Sequence, residues 1–287
     1  MKAWIKKGIA AAAVVVASAA LAVGSSTSSS AAAPGLPAFG ITSDGLMASF
    51  NTNNPGVLNW VAFPTGFVCG ENFLIGIDFR VQDGKLYALG NRGCIYTVTL
   101  PSNPSVPIVT LTQVSQLSVA LHGTNFGFDF NPAADRLRIV SDTGQNLRHD
   151  LNTHVTAVDG LLSSGPGTAT VTGISAAAYT NNDLNSTTGT TLFDINPVTG
   201  QVLIQSPANT GFVIMTGMLG GTFGPNAGFD IFADLVGGKT VSNTAFAVLT
   251  PSGSRPLLVT VELLTGAPTT VGQFPLFISD IAVALDS

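Results

Sequence analysis

A four-residue pattern, glycine–apolar–aspartate–apolar, recurs along the chain and limits what it can fold into. It stands at Gly76-Ile77-Asp78-Phe79, Gly127-Phe128-Asp129-Phe130 and Gly228-Phe229-Asp230-Ile231. Weaker copies stand at Gly173-Ile174-Ser175-Ala176 and Ile278-Ser279-Asp280-Ile281. The third positions are 51, 46, 55 and 50 residues apart. Only 7 residues follow Asp280 and 44 separate Pro34 from Asp78, so the two end fragments together make one more period. Self-similarity at a fixed period is the signature of a repeat architecture. Each unit also carries an apolar run, a polar turn and a second run, as hairpins require. The turns fall at Asn51–Gly56, Pro101–Ser105, Asn152–Thr156, Asn196–Gly200 and Leu263–Gly266.

Nowhere do apolar residues recur over a long stretch at i, i+3, i+4 and i+7. Short β-rich runs instead alternate with Gly, Pro, Asn and Asp, the pattern of an all-β chain. Five units with room for four short strands each predict a β-propeller of five four-stranded blades. The copy at Asp280 lacks its following strands, and Phe39 to Phe63 supplies them, so both chain ends close the last blade and protect its edges. A β-sandwich gives no reason for five copies of one motif. A solenoid would not need the C-terminal fragment to complete an N-terminal unit.

The N-terminus predicts export. Met1 to Lys7 carries three lysines, and Gly8 to Val23 is an uncharged run of 16 residues rich in Ala and Val, short of the ~20 that a spanning helix needs. Residues 1–22 therefore read as a signal peptide, cleaved somewhere between 22 and 33, with a retained anchor as the alternative. Residues 23–37 read as a Ser/Ala-rich lead-in and 38–287 as one propeller domain, with no transmembrane segment once the signal is removed. Without Lys2, Lys6 and Lys7 the chain has 8 basic against 16 acidic groups, a balance that repels phosphate backbones and argues against nucleic acid. In an oxidising compartment Cys69 and Cys94, placed at the same end of one sheet by the hairpin at Gln82-Asp83-Gly84, are expected to form a disulfide; two buried thiols are the alternative.

Several longer stretches are distinctive together: Ile75–Arg80 with Leu86–Gly90, Phe126–Pro132, Asp135–Arg148 and Ala177–Asn182. They resemble the bacterial family catalogued as domain of unknown function 4394, from about Phe39 to Leu285. The resemblance implies an exported, propeller-like protein and brings no established activity, so no catalytic residue is carried over. The two cysteines do not look like features of that family.

Two constellations are candidates for chemistry. The motif aspartates Asp78, Asp129, Asp230 and Asp280, with Ser175 in the fifth place, point away from their apolar neighbours on an innermost strand and should be buried. They either accept backbone N–H bonds from an adjacent turn, locking blades together, or converge on the channel mouth and hold a hard cation such as calcium. The second constellation is the charged segment Asp135 to Asp150, where Arg136, Arg138, Asp142, Gln145, Asn146 and Arg148 could receive a carboxylate ligand such as an acidic sugar, or could pair among themselves. His149, Asp150 and His154 are a weaker candidate for a metal or general-base site, and Gly217–Gly224 reads as a loop between blades. Val106–Leu121 and Gly211–Pro225 read as apolar connections, interaction patches if exposed. No nucleophile elbow or Walker loop is present, so the expected function is non-catalytic binding of an envelope, glycan or protein partner, or a scaffold role there. The alternative is an extracellular saccharide hydrolase or lyase with its site at the propeller mouth.

Overall fold

The computed structural model describes residues 35–286; the expected signal peptide and its expected cleavage range lie outside them. Strands β1 (Pro37–Thr42), β2 (Met47–Asn51) and β3 (Asn54–Ala62) are followed by the two-residue β4 (Pro64–Thr65). Next come β5 (Leu74–Arg80), β6 (Lys85–Gly90), β7 (Cys94–Thr99) and β8 (Val109–Gln116), then β9 (Phe126–Asn131), β10 (Arg136–Ser141), β11 (Asn146–Asp150) and β12 (Val155–Val158). The chain continues through β13 (Ala176–Tyr179), β14 (Leu192–Asn196), β15 (Gln201–Gln205), a 3₁₀ turn at Ala208–Thr210 and β16 (Val213–Met218). It ends with β17 (Ala227–Val236), β18 (Lys239–Leu249), β19 (Leu257–Val261), β20 (Pro268–Gln273) and β21 (Ile278–Val283).

These strands form five antiparallel meanders. Blade 1 is β5-β6-β7-β8, with β4 added in parallel at its outer edge, and blades 2, 3 and 4 are β9–β12, β13–β16 and β17–β20. Blade 5 has the order β21-β1-β2-β3, so the C-terminal strand is innermost and the N-terminal segment supplies the other three, as the repeat arithmetic predicts. The innermost strands β5, β9, β13, β17 and β21 touch one another in sequence and close the ring, defining a five-bladed β-propeller.

The hydrophobic core is divided among the five seams between blades. Ile77 and Phe79 pack with Phe39 and Ala282 of blade 5; Phe128 and Phe130 pack with Tyr87 and Leu89 of blade 1. Ala177 and Tyr179 join Val140 of blade 2, Phe229 and Ile231 join Ala176 and Ala178 of blade 3, and Ile281 and Val283 join Phe246 and Val248 of blade 4. The glycine of the motif has a steric reason: a Cβ at Gly76, Gly127 or Gly228 would come within 3.0 Å of Phe128, Ala177 or Asp280 on the next inner strand. Only a residue without a side chain lets neighbouring inner strands approach so closely.

Some sequence boundaries shift. β1 begins at Pro37, inside the expected lead-in, and β3 begins at Asn54, so the first turn is shorter than Asn51–Gly56. Val106–Leu121 and Gly211–Pro225 are not plain connections: they contain β8 and β16, the outermost strands of their blades. Such strands face water on one side, so an apolar side chain there need not mark a linker. Gly217 lies within β16 rather than in a loop, because Thr265 and Gly266 of blade 4 press against it. Cys69 and Cys94 form the disulfide, Cα–Cα 6.4 Å. No helix among the described residues is long and apolar enough to cross a membrane.

Candidate functional site

On each innermost strand one edge pairs with the second strand of its blade and the other faces the channel, leaving N–H groups without a ladder partner. The motif aspartates take them. Asp78 Oδ2 accepts from Phe130 N–H of blade 2 (2.8 Å), and Asp129 Oδ1 accepts from Tyr179 N–H of blade 3 (3.0 Å). Asp230 Oδ2 accepts from Val283 N–H of blade 5, and Asp280 Oδ2 from Ile77 N–H of blade 1 (2.9 Å). The donors are therefore in the neighbouring inner strand, not in an adjacent turn. Four of the five seams carry this weld.

The fifth place belongs to Ala178, not Ser175. Asp78 and Asp129 serve N–H groups next to the equivalent residue of the following blade, and Tyr179 stands next to Ala178. With Ala178 the spacings become 51, 49, 52 and 50 residues, more regular than those through Ser175. Ser175 precedes β13, buried, its Oγ without a hydrogen-bond partner.

The ring aspartates are at most 5% exposed. Carboxylate oxygens of Asp78, Asp129 and Asp230 lie within 4.8 Å of one another across the channel; Asp280 stands outside that trio. Burial, and then the charge of Asp230, push the Asp78 carboxyl well above the ordinary range. Burial and the charges of Asp78 and Asp230 do the same to Asp129, and burial dominates at Asp280. Asp230 is pushed up to about 6 by burial, and its Oδ1 has no well-formed hydrogen bond. Four acids are thus crowded where ionisation is costly unless a positive charge joins them.

Another buried acid was not singled out from the sequence. Asp194 on β14 stands opposite Ala177, neither of its oxygens has a hydrogen-bond partner, and burial pushes its carboxyl up to about 8 against the field of Arg138. Its signal was the apolar–Asp–apolar run Leu192-Phe193-Asp194-Ile195, which repeats the ring pattern on a second strand.

The charged segment Asp135 to Asp150 folds into a network of its own. Arg138, 2% exposed, donates to Asp159 (2.7 Å), Asn146 (2.6 Å) and Asn209 (2.7 Å). Asn146 also donates to Gly160 and Ala208 carbonyls, tying the 3₁₀ turn of blade 3 onto blade 2. Arg136 pairs with Asp150 at 2.9 Å and Arg148 with Asp159 at 3.2 Å. Asp142 accepts from Thr124 and Asn125, while Gln145 holds the loop at Ala120 and His122. Of the six residues expected to receive a ligand, Arg138, Gln145 and Asn146 are buried and all are bonded within the protein. The histidine group gains a member invisible in the sequence: Ser115 Oγ lies 2.8 Å from His149 Nε2 and 2.9 Å from His154 Nδ1. His149 Nδ1 faces Thr156 Oγ1 rather than a carboxylate, and Asp150 is taken by Arg136. Burial, with the charge of His154 adding to it, pushes His149 down to about 4.

Fold and site together define a five-bladed β-propeller with a buried carboxylate ring at its axis. The chain belongs to the family described as Domain of unknown function (DUF4394), whose model matches residues 46–282. No curated protein matches the sequence. Solved structures similar to it include TolB from Acinetobacter baumannii, at 15% identity and TM-score 0.44, over 84% of this chain and 53% of that one. An auxiliary nutrient binding protein from Bacteroides thetaiotaomicron is 12% identical with TM-score 0.44, over 81% and 56%. A protein of unknown function from the same organism is 12% identical with TM-score 0.47, over 88% and 68%. The chain thus spans about half the length of the first two.

Proposed function

We propose that the protein is an exported, non-catalytic binding propeller, working at the cell envelope or outside the cell, whose axial aspartates hold a calcium ion that rigidifies the ring for partner binding. The observation that carries the cation is the convergence of the Asp78, Asp129 and Asp230 oxygens within 4.8 Å. Calcium takes oxygen ligands at about 2.3–2.6 Å, so ligands on opposite sides of it are roughly 4.8 Å apart. A divalent charge would relieve the repulsion among these buried acids and engage the Oδ1 of Asp230, which has no well-formed hydrogen bond. The non-catalytic part is supported by what has become of the acid–base candidates: Asp129 and Arg138 are buried, and Asp142 is tied to Thr124 and Asn125. A saccharide hydrolase or lyase needs such groups free in an open pocket.

The test is the melting temperature of the purified protein in calcium and in chelator. A ligand bound only by the native state raises it by mass action. The expected result is a rise of several degrees with calcium that Asp129→Asn abolishes. An unchanged melting temperature would leave the ring as hydrogen-bond acceptors only.

A further inference from the structure

Blade 4 departs from its siblings in one respect. Its first hairpin, β17–β18, has strands of 10 and 11 residues, whereas the other innermost strands have 4 to 7. The excess projects past the end of the channel where the innermost strands finish. It is tied down on both sides. Thr240 donates through N–H and Oγ1 to Asp183 Oδ2 (2.9 and 2.6 Å), and Asn243 and Asn181 exchange bonds of 2.7 and 2.9 Å. On the other flank Leu235 N–H donates to Asp286 Oδ2 (2.7 Å), holding the C-terminal tail against the hairpin.

Between these pieces lies a cavity of about 550 Å³, walled by blades 1, 3, 4 and 5. That is the size of a small-molecule site, which typically runs from about 300 to 1,000 Å³. Its walls are mainly apolar, with Phe79, Val81, Leu184, Leu235 and Leu285 among them, and the acids on its lining are Asp183 and Asp286. Among the described residues no lysine or arginine lines it. Burial opposes ionisation of Asp183, but hydrogen bonds led by Thr240 outweigh it and keep the group negative. Phe79 directly follows Asp78, and Asn182 donates to the carbonyl of Ile231 beside Asp230, so the cavity stands over the carboxylate ring.

We infer that this overhung mouth is a binding site for a small organic cation: an apolar body against the leucine, valine and phenylalanine walls, its positive head toward Asp183 and Asp286. An acidic sugar or a phosphate ester is the wrong charge for it. The inference rests on the binding-module reading and names its ligand class.

The probes are auramine O, a cationic dye that brightens when immobilised, and anilinonaphthalene sulfonate, its anionic counterpart, each titrated in calcium and in chelator. The expected result is one auramine O per chain and at least tenfold weaker binding of the anionic dye. Val81→Trp, which pushes a bulky ring into the cavity from its wall, should weaken auramine O binding at least tenfold with the melting temperature little changed. Asp286→Asn keeps an acceptor for Leu235 and should weaken auramine O by about 3- to 10-fold, the order expected for one partly screened charge. Equal binding of both dyes, binding untouched by Val81→Trp, or dye competing with self-association of the chain would overturn the inference. Asp129→Asn separates it from the cation proposal: loss of the calcium response with dye binding retained means that only the mouth is a site.

Discussion

Blade 3 and its four siblings solve the same closure problem differently. At the other seams a buried carboxylate from one inner strand accepts an N–H of the next. Between blades 3 and 4 that place holds Ala178, and the joint is made by Asn181, Asn182 and Asp183, which follow β13 and reach Asn243, Ile231 and Thr240. Blade 3 still carries a buried acid, Asp194, but on its second strand and facing blade 2, where Arg138 is also buried. The contrast teaches that a ring of acids at an axis is limited by mutual repulsion. Four are tolerated with N–H donors, three already crowd together, and the seam without one transfers its polar bonding to the rim. That rim then becomes one wall of the overhung mouth.

The largest effect should come from the flank of blade 3. Arg138→Met leaves Asp159 with only the more exposed Arg148 as its cation and takes from Asn146 its closest donor, and should cost roughly 3 kcal/mol in urea unfolding. A loss below about 1 kcal/mol would mean that the network is not what joins blades 2 and 3. Next comes an ordinary seam. Asp78→Ala strands the N–H of Phe130 and should cost about 1–3 kcal/mol in chelator. At the seam without a ring acid, Asn182→Ala should cost only about 1 kcal/mol, since Asn181 and Asp183 remain. Equal losses for the two would erase the distinction between weld and rim.

The smallest effect concerns pH and sharpens the position of Asp194. A carboxyl whose folded pKa is raised contributes stability that is full below the unfolded value near 3.8 and is lost as pH rises through the folded value. Asp230, raised to about 6, and Asp194, raised to about 8, both act in this sense, as do Asp78, Asp129 and Asp280. The chelated protein should therefore melt lower at pH 8 than at pH 5. His149, depressed to about 4, has the opposite slope between about 4 and 6.5 and flattens only the acid end. Asp194→Asn should reduce the fall between pH 6 and 8, whereas calcium should reduce the share belonging to the ring. A melting temperature that climbs from pH 5 to pH 8 in chelator would contradict these burials.

The architecture was legible because its cause is periodic. The glycine recurs at the three seams where the next inner strand presses against it, and the aspartate at the four where it takes an N–H of the next inner strand, so both follow the blade. Closure by the two ends followed from the same period. What the sequence hid is what breaks the period. Ser175 sat in the best-matching tetrapeptide of blade 3, yet the structural equivalent, Ala178, has no polar atom to reveal it. Asp194 looked like part of a hairpin because the one charge that bears on it, Arg138, lies across a seam rather than nearby along the chain. The Arg136–Arg148 segment showed its charge density but not the destination of each group, since Asp159 and Asn209 come from outside it. The overhanging hairpin left only a longer β-rich run before Gly237-Gly238, with nothing to mark its tether to Asp183.

The most direct test of the ring is calorimetric titration of chelator-stripped protein with calcium. The account predicts one ion per chain, lost in Asp129→Asn and kept in Asp194→Asn. No binding heat, or binding that survives Asp129→Asn unchanged, would contradict it.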